Sequence, residues 1–234
     1  MKKYLEVIKK SPLFKGIEER EIEAMLACLS VKTKKYAKNE FVMRFGESTE
    51  AIGMVLAGSL HLIKEDFWGN RNIIAEIGPG QIFAESYACM EGVTLGVSVV
   101  AAEAGAVMFM NVRRVLTTCG SACEFHSRLV RNLLSVLAEK NLRFNDKLTH
   151  MTQRTTRQKL LSYLSAESLR QGASEFDIPF DRQQLADYLS VDRSAMSNEL
   201  CRMRDEGLLN FRRNHFVLRQ SRSPLVNAFI RGSD

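Results

Sequence analysis

Short apolar runs separated by glycine-containing breaks occupy the chain between Val31 and Met110, and this pattern restricts the fold more than any other feature. The runs cover residues 41–45, 52–56, 60–63, 72–77, 97–101 and 106–110. Tight turns are expected at Trp68-Gly69-Asn70 and at Gly78-Pro79-Gly80. Many short strands joined by regular turns are typical of an antiparallel barrel or roll rather than a parallel sheet. We therefore expect a β-roll, preceded by a short amphipathic helix over residues 18–29.

A long helical stretch follows the strands, from about Ala122 to Met151. Its apolar residues form one stripe at helical spacing, at Val130, Leu133, Leu137, Phe144, Leu148 and Met151. Further apolar residues lie outside this stripe, at Leu129, Leu134 and Val136. A helix with two apolar faces needs two surfaces to pack against, so we expect one face to cover the β-roll and the other to pair with a second copy.

Asn141 interrupts the stripe, as a polar residue that sets the register of two paired helices would. The pattern therefore favours a homodimer joined through the long helix. The alternative is a buried helix inside one large monomer, in which both apolar faces would be covered by the same chain.

Residues 181–207 have the pattern of two short helices joined by a tight turn. Asp181 and Asp192 are placed as N-caps, because a carboxylate can accept hydrogen bonds from the free amides at a helix start. The inner face of the second helix is expected to consist of three residues at helical spacing, Met196, Leu200 and Met203. Gly207 is placed to end that helix.

Burial of that inner face leaves a polar outer face, formed by Arg193, Ser194, Ser197 and Asn198. These side chains lie near the N-terminal end of the helix, which is the end that a recognition helix presents to the major groove. Arginine can bind guanine and asparagine can bind adenine through two hydrogen bonds, and each good pair discriminates by about 1–3 kcal/mol. The pattern predicts sequence-specific DNA binding; a helical pair with a solvated polar face is the alternative.

A small hairpin with a basic tip is expected after the second helix. Residues 208–211 and 215–218 alternate in polarity on either side of Arg212-Arg213-Asn214. Such a hairpin, or wing, can lie on the phosphate backbone of a duplex. A helix over residues 155–170 and a strand over residues 175–180 are expected upstream of the two short helices.

Composition agrees with a DNA-binding protein of the cytoplasm. The net charge of +6 favours an anionic partner. No apolar run reaches the roughly 18–20 residues that span a bilayer, and no apolar signal core follows the N-terminal lysines. Five scattered cysteines without a CxxC pair suit a reducing compartment. We expect no enzymatic activity and no membrane partner, because the sequence has no HExxH, GxSxG, P-loop or dinucleotide-binding motif.

From about residue 10 to residue 219, the chain resembles the CRP/FNR family of bacterial transcription regulators. The N-terminal resemblance rests on the segments Phe45-Gly46-Glu47, Val55-Leu56-Ala57-Gly58-Ser59-Leu60 and Gly78-Pro79-Gly80-Gln81-Ile82-Phe83, and on Glu85. The order of roll, long helix and winged helix-turn-helix is its most specific part. The resemblance implies an α+β fold with four parts: an effector-sensing β-roll over 1–120, a dimerisation helix over 121–151, a winged helix-turn-helix over 152–220 and a tail over 221–234.

The resemblance also implies roles for individual residues in binding a palindromic operator on double-stranded DNA. Asp181 and Arg182 resemble phosphate-contacting positions, and Arg212 occupies a wing phosphate position. The base-reading positions are occupied by Arg193, Ser194, Ser197 and Asn198. The cyclic AMP receptor pattern has Glu and Arg at the positions of Ser194 and Asn198, whereas Ser197 is similar to the fumarate–nitrate regulator branch. RNA polymerase is the further partner that such a regulator is expected to have.

The effector is unknown, and the sequence argues against cyclic AMP. In members that bind cyclic nucleotides, an Arg-Ser pair holds the phosphate, whereas this chain has Leu95-Gly96, with Ala84 in place of a glycine before Glu85. A buried phosphate without a cation loses a charged hydrogen bond of about 1.5–3 kcal/mol and its hydration. The resemblance places Glu85, Leu95, Lys140 and Asn141 at the effector pocket. The alternative function is a cyclic-nucleotide-binding module without direct DNA readout.

Metal cofactors have weak support in the sequence. An iron–sulfur cluster needs a cysteine group near the N-terminus, and Cys28 alone lies there, so we expect none. His61, His126 and His150 are nominal haem ligands, although a lone histidine is more often structural. Cys119 and Cys123 form a CxxxC at the start of the long helix, where a redox-active pair is one interpretation and two small packing residues are the other.

Overall fold

The computed structural model describes residues 2–65, 68, 71–117 and 124–219. The chain forms two compact units, Met1–Glu139 and Lys140–Asp234. The boundary lies inside the longest helix, so the two parts of that helix belong to different units. The predicted tail over 221–234 and the pair Cys119 and Cys123 lie outside the described residues.

The described residues contain α-helices and strands in the order that the sequence predicts, a strand-rich part followed by a helical part. The helices are α1 Leu5–Lys10, α2 Glu19–Cys28, α3 Glu85–Ala88, α4 Val112–Leu116, α5 Glu124–Met151, α6 Thr156–Gln171, α7 Arg182–Leu189 and α8 Arg193–Asp205. The strands are β1 Lys32–Tyr36, β2 Phe41–Met43, β3 Ala51–Ala57, β4 Leu60–Glu65, β5 Arg71–Ile77, β6 Ile82–Phe83, β7 Ser98–Ala101, β8 Gly105–Asn111, β9 Glu175–Asp177, β10 Leu209–Arg212 and β11 His215–Leu218.

The first unit is built on two antiparallel four-stranded sheets, with strand orders β1-β8-β3-β6 and β2-β7-β4-β5. Side chains from both sheets form one buried cluster, to which Val55 contributes from β3 and Val99 from β7. Short antiparallel strands that share a core confirm the predicted β-roll. The chain therefore has the mixed α and β fold expected from the sequence, with an N-terminal roll, a long helix and a C-terminal helix-turn-helix.

A second cluster of the first unit joins helices to the outer side of the β3-containing sheet. Ile52 and Met54 of β3 are fully buried there with Ile22 of α2 and with Leu129 and Leu133 of α5. Strand β3 is thus covered on both faces, which explains its nearly continuous apolar sequence. The N-terminal part of α5 is a component of this core.

Strand β1 is absent from the sequence-based expectation, because its sequence lacks the apolar alternation of a half-buried strand. Four of its five residues are exposed, and Tyr36 is its one buried side chain. It lies at the edge of its sheet, paired with β8 alone. Lysines on an exposed edge oppose pairing with another chain, which accounts for a polar strand at this place.

The second unit packs α6, α7 and α8 against a three-stranded sheet of order β10-β11-β9. Its core contains Leu185 and Leu189 of α7, Leu200 of α8 and Phe216 of β11. The expected strand over residues 175–180 is shorter than predicted and ends at Asp177. Pro179 follows and has no amide hydrogen to donate to a sheet, which limits the strand.

Candidate nucleic-acid interface

The first helix of the interface, α7, begins where the sequence predicts. The Asp181 carboxylate accepts a hydrogen bond from the Gln184 amide at 2.8 Å, and the Gln184 side chain accepts one from the Asp181 amide at 2.9 Å. This reciprocal capping box occupies two amides that the helix itself leaves unpaired. The exposed Asp181 therefore has a structural role at the start of α7.

The turn and the second helix also match the prediction. Ser190 ends α7 in the left-handed conformation, with φ of 51°. The Asp192 carboxylate then accepts a hydrogen bond from the Ala195 amide at 2.7 Å and caps α8. The inner face of α8 is fully buried, at Met196, Leu200 and Met203. Because Ala186 of α7 is small and fully buried, the two helices can pack closely.

The outer face of α8 is accessible at its N-terminal end. Arg193, Ser194 and Asn198 are exposed, and Ser197 is half-buried. The Ser197 hydroxyl donates to the backbone oxygen of Arg193 at 2.9 Å, which leaves its own oxygen lone pairs available to an outside donor. The structure thus brings the four predicted base-reading residues together on one face.

Arg157 of α6 anchors the opposite end of α8, and sequence reasoning missed it. Its guanidinium donates to both carboxylate oxygens of Glu206 and lies 3.5 Å from a carboxylate oxygen of Glu199. The hydrogen bond from Arg157 lowers the pKa of Glu206. The partners lie more than forty positions apart, so no local spacing in the sequence indicates the pair.

The hairpin β10–β11 forms the predicted wing, residues 209–218. Arg212 pairs with His215 across a two-residue turn, in which Arg213 has a φ of 56°. Arg212 is exposed at this tip. The Ile178 backbone binds the wing, because its amide donates to the Asn214 backbone oxygen at 2.9 Å and its oxygen accepts from the Asn214 side chain at 3.2 Å.

His215 joins the wing to β9. One ring nitrogen lies 3.1 Å from a carboxylate oxygen of Asp177, and the other lies 3.1 Å from one of Glu175. These two hydrogen bonds raise the pKa of His215 above its usual 6.5. The imidazolium form is the one that donates from both nitrogens at once.

Arg182 does not lie where the resemblance places it. The prediction puts its guanidinium on a phosphate, but Nη1 and Nη2 are buried and have no hydrogen-bond partner in the described part of the chain. The guanidinium carbon lies 4.8 Å from the ring centre of Phe211 and 5.1 Å from that of Phe216. Burial lowers the pKa of Arg182. Attraction to two aromatic faces explains why the side chain turns inward.

In the first unit, the structure gives the backbone conformation and the burial of the residues that are predicted to lie near an effector. Ala84 has a φ of 61°, a left-handed conformation that suits the glycine found there in cyclic-nucleotide-binding relatives. Glu85 begins α3 and is buried. Leu95 is 2% exposed and belongs to the core shared by the two sheets. Its side chain packs inside the roll, and contact between Leu95 and an effector stays a prediction.

The second residue of the Leu95-Gly96 pair is also constrained. A Cβ atom at Gly96 would lie 3.1 Å from the Tyr87 hydroxyl, so a serine there would require Tyr87 to move. The backbone of Leu95 pairs with Gly46 and Glu47, through hydrogen bonds of 2.9 and 2.8 Å. Packing around this pair is therefore adapted to an apolar side chain followed by glycine.

The remaining predicted residues lie on α5. Lys140 and Asn141 are exposed and belong to the second unit. Leu133 of the predicted stripe is buried in the first unit, whereas other apolar side chains of the helix are exposed: Leu134, Leu142, Phe144 and Leu148. The helix thus has one buried apolar part and one exposed apolar part. Such an exposed set is the expected mark of an interaction surface.

His150, near the end of α5, occupies an aromatic cluster of the second unit. Its Nδ1 lies 2.8 Å from the Ser162 hydroxyl, and its ring is 5.7 Å from that of Tyr163 and 6.4 Å from that of Tyr188. Burial lowers the pKa of His150, and the nearby carboxylates of Asp146 and Glu167 partly oppose this. Sequence reasoning gives His150 merely as a nominal haem ligand; the structure gives it a packing role.

The pKa shifts of His150 and His215 lead us to expect opposite effects of pH on the stability of the second unit. His150 has a lowered pKa, so its contribution to stability is complete above pH 6.5 and is lost as the pH falls through the lowered pKa. His215 has a raised pKa, so its contribution is complete below pH 6.5 and is lost as the pH rises through the raised pKa. Calorimetry from pH 5 to 8 should show His150→Phe reducing the acid-side loss of stability and His215→Asn reducing the alkaline-side loss. The same effect from both variants would contradict these assignments.

Comparison with known proteins agrees with this architecture. Residues 33–121 match the cyclic nucleotide-binding domain, and residues 158–222 match the Crp-like helix-turn-helix domain. The Cyclic AMP receptor protein of Thermus thermophilus is 24% identical over 202 residues, which cover 86% of this chain and 89% of the relative.

Solved structures share the fold at low sequence identity. The crystal structure of Thermus thermophilus catabolite activator protein has a TM-score of 0.51 and 20% identity, covering 94% of this chain and 98% of that one. A structure of CprK complexed with OCPA has a TM-score of 0.63 and 12% identity, covering 84% of this chain and 88% of that one. No helix within the described ranges is long and apolar enough to cross a membrane.

A roll of the cyclic nucleotide-binding type, followed by a helix-turn-helix with an exposed polar face, defines a DNA-binding transcription regulator with a ligand-sensing domain. The chain combines a match to the cyclic nucleotide-binding domain with a match to the Crp-like helix-turn-helix domain, which is the pair of domains that its resemblance to the CRP/FNR regulators predicts.

Proposed function

We propose that the protein is a cytoplasmic, homodimeric regulator that binds a palindromic operator through α8 and responds to a redox signal or to an effector other than cyclic AMP. The observation that carries this proposal is the polar outer face of α8, where Arg193, Ser194 and Asn198 are exposed. The same helix buries its opposite face completely, so its orientation on the domain is determined. A recognition helix needs a buried inner face that fixes it on the domain and an exposed polar face that can contact base edges.

The residues divide into base-reading and phosphate-binding groups. Arg193 and Asn198 can each offer two hydrogen bonds to a base edge, and Ser194 and Ser197 can offer one or accept one. Arg212 stands at the wing tip, where a cation binds phosphate without reading sequence. Asp181 helps less directly, since its carboxylate caps α7 and orients the free amides at that helix start.

Pairing of two α5 helices explains the apolar side chains that the single chain leaves exposed. Leu142, Phe144 and Leu148 are each about half-exposed or more, and Asn141 lies beside them in the sequence. Burying these side chains between two copies removes them from water, and a pair of asparagines sets the register. A two-fold dimer in turn requires two half-sites, which is why the operator is a palindrome.

The residues that we propose to contact an effector are Glu85 and Leu95 of the roll and Lys140 and Asn141 of α5. Leu95 provides no charge for a cyclic phosphate, which supports a ligand of other chemistry. The proposed organisation keeps the sensing part over 1–120, the dimerisation helix over 121–151 and the DNA-binding part over 152–220. RNA polymerase is the proposed further partner of the DNA-bound dimer.

Single substitutions at α8 and at the wing test the division of roles. Arg193→Ala should relax preference at one base pair of each half-site by about 1–3 kcal/mol, because it removes a base-edge contact. Arg212→Ala should weaken binding to all sequences alike and reduce the slope of log K against log salt by about 0.9 per lost phosphate contact. Fluorescence anisotropy on a randomised palindromic library at several salt concentrations measures both effects.

The wild-type protein is the reference for both variants. It should lose affinity steeply with salt and still select a sequence. Identical behaviour of the two variants would refute the division of roles. Wild-type binding with no sequence preference, or no binding of DNA at all, would favour a cyclic-nucleotide-binding module without direct DNA readout.

A further inference from the structure

The guanidinium of Arg182 is enclosed by protein, yet Nη1 and Nη2 have no hydrogen-bond acceptor among the described residues. Buried donors without acceptors are costly, since each has given up its bonds to water. The compensating contacts are with the ring faces of Phe211 and Phe216, at 4.8 and 5.1 Å from the guanidinium carbon. Attraction between a cation and a ring face is strongest when the cation is desolvated, as it is here.

Both rings belong to the wing. Phe211 of β10 and Phe216 of β11 are direct partners in the antiparallel ladder, with ring centres 6.0 Å apart. Arg204, from α8, also lies over the Phe211 ring, at 5.6 Å. Arginines from both helices of the helix-turn-helix therefore contact the Phe211 ring of the wing. Arg182 contributes the closer of the two contacts with Phe211.

The strand geometry connects this aromatic pair to the basic tip. Successive side chains of a strand point to opposite faces, so a Phe211 ring directed towards α7 leaves the next residue, Arg212, directed away. Phe211 is half-buried and Arg212 is exposed, as this alternation requires. A displacement of the β10 backbone at Phe211 would consequently move Arg212 as well, because the two residues are adjacent in the strand.

We propose that Arg182 is a positioning residue, whose guanidinium holds the Phe211–Phe216 pair and thereby sets where Arg212 meets a phosphate. This role rests on the proposed DNA-binding function and differs from the direct phosphate contact that the family resemblance implies for Arg182. The contact joins α7, the first helix of the helix-turn-helix, to the wing. The position of the wing tip relative to α8 is therefore fixed before the two approach a duplex.

The DNA-free protein provides the first test. Arg182→Met keeps a long apolar stem but removes the guanidinium, so the backbone amide NMR signals of Phe211, Arg212 and Arg213 should shift. Arg202→Met is the matched control, because Arg202 lies on α8 with a side chain that is 74% exposed, and it should leave the wing signals in place. Wing signals that do not move in Arg182→Met would overturn the proposal, since the contacts between β9 and the wing would then be enough to hold the wing in position without Arg182.

DNA binding provides the second test, through a double-mutant cycle with Arg212→Ala. Arg182→Met alone should weaken binding about threefold to tenfold. On the Arg212→Ala background it should cause no further loss and no further fall in the salt slope, because Arg182 acts through Arg212. Arg182→Lys should resemble Arg182→Met, since an ammonium does not stack on two rings as a guanidinium does.

A direct phosphate contact makes the opposite predictions. The losses from Arg182→Met and Arg212→Ala would then add, each would lower the salt slope by about 0.9, and Arg182→Lys would keep most of the affinity. That outcome would overturn the positioning role and leave the proposed function intact. If the wild-type protein shows no salt-dependent binding, the proposed function fails, and the NMR shifts of the wing still decide whether Arg182 positions it.

Discussion

Phe144→Glu is expected to convert the proposed dimer into monomers and to weaken operator binding by about 100-fold or more. Phe144 is 64% exposed in the single chain, so the substitution should leave the folded protomer intact. In a pair of α5 helices it would place two carboxylates in an apolar contact, where their desolvation opposes association. A monomer binds one half-site and loses the gain from binding two linked half-sites, which is about 10²–10⁴-fold in affinity.

Sedimentation equilibrium measures the first effect, and fluorescence anisotropy on a two-half-site duplex measures the second. Phe45→Glu is the matched control, because Phe45 is 67% exposed, carries the same side chain and lies outside α5. It should leave both the mass and the affinity unchanged. A Phe144→Glu variant that remains dimeric would refute pairing through this part of α5.

Leu200→Ala should destabilise the DNA-binding unit by about 2–5 kcal/mol, because it opens a cavity in a fully buried site. The core cluster that contains Leu200 consists of residues of the second unit alone. The clusters of the first unit contain none of these residues. The unfolding transition of the second unit should therefore fall in temperature while that of the first unit stays in place.

Differential scanning calorimetry can follow both transitions in the same protein. Leu208→Ala is a suitable control, because Leu208 is 40% exposed and its truncation should cost less than about 1 kcal/mol. Operator binding by Leu200→Ala should disappear at a lower temperature than in the wild type. A single transition that moves as a whole would contradict independent cores in the two units.

Several local features could be predicted from the sequence because neighbouring residues alone determine them. A carboxylate followed by a helical run caps that run, and both Asp181 and Asp192 do so. The spacing of Met196, Leu200 and Met203 identifies the buried face of α8 and thereby the exposed one. The succession of short strands likewise predicts the roll, since turns and apolar runs are local patterns.

Other features depend on residues far apart in the chain, and sequence reasoning misses or misplaces them. Arg157 and Glu206 lie 49 positions apart in the chain. Arg182, on α7, contacts the ring of Phe211, on strand β10 of the wing. Strand β1 carries no apolar alternation and escapes prediction because its position at a sheet edge requires none. The position of Leu95 in the core between the sheets likewise depends on side chains that are distant in the sequence.

The amino-acid sequence by itself determined the order of the elements, their caps and the polar face that α8 exposes, because these depend on hydrogen bonds and side-chain spacing within one or two turns. The tertiary structure alone decided that Arg182 turns inward and that His150 is enclosed by aromatic rings. Burial is set by whichever distant side chains pack against a residue, and the long-range contacts that create it are absent from any local pattern.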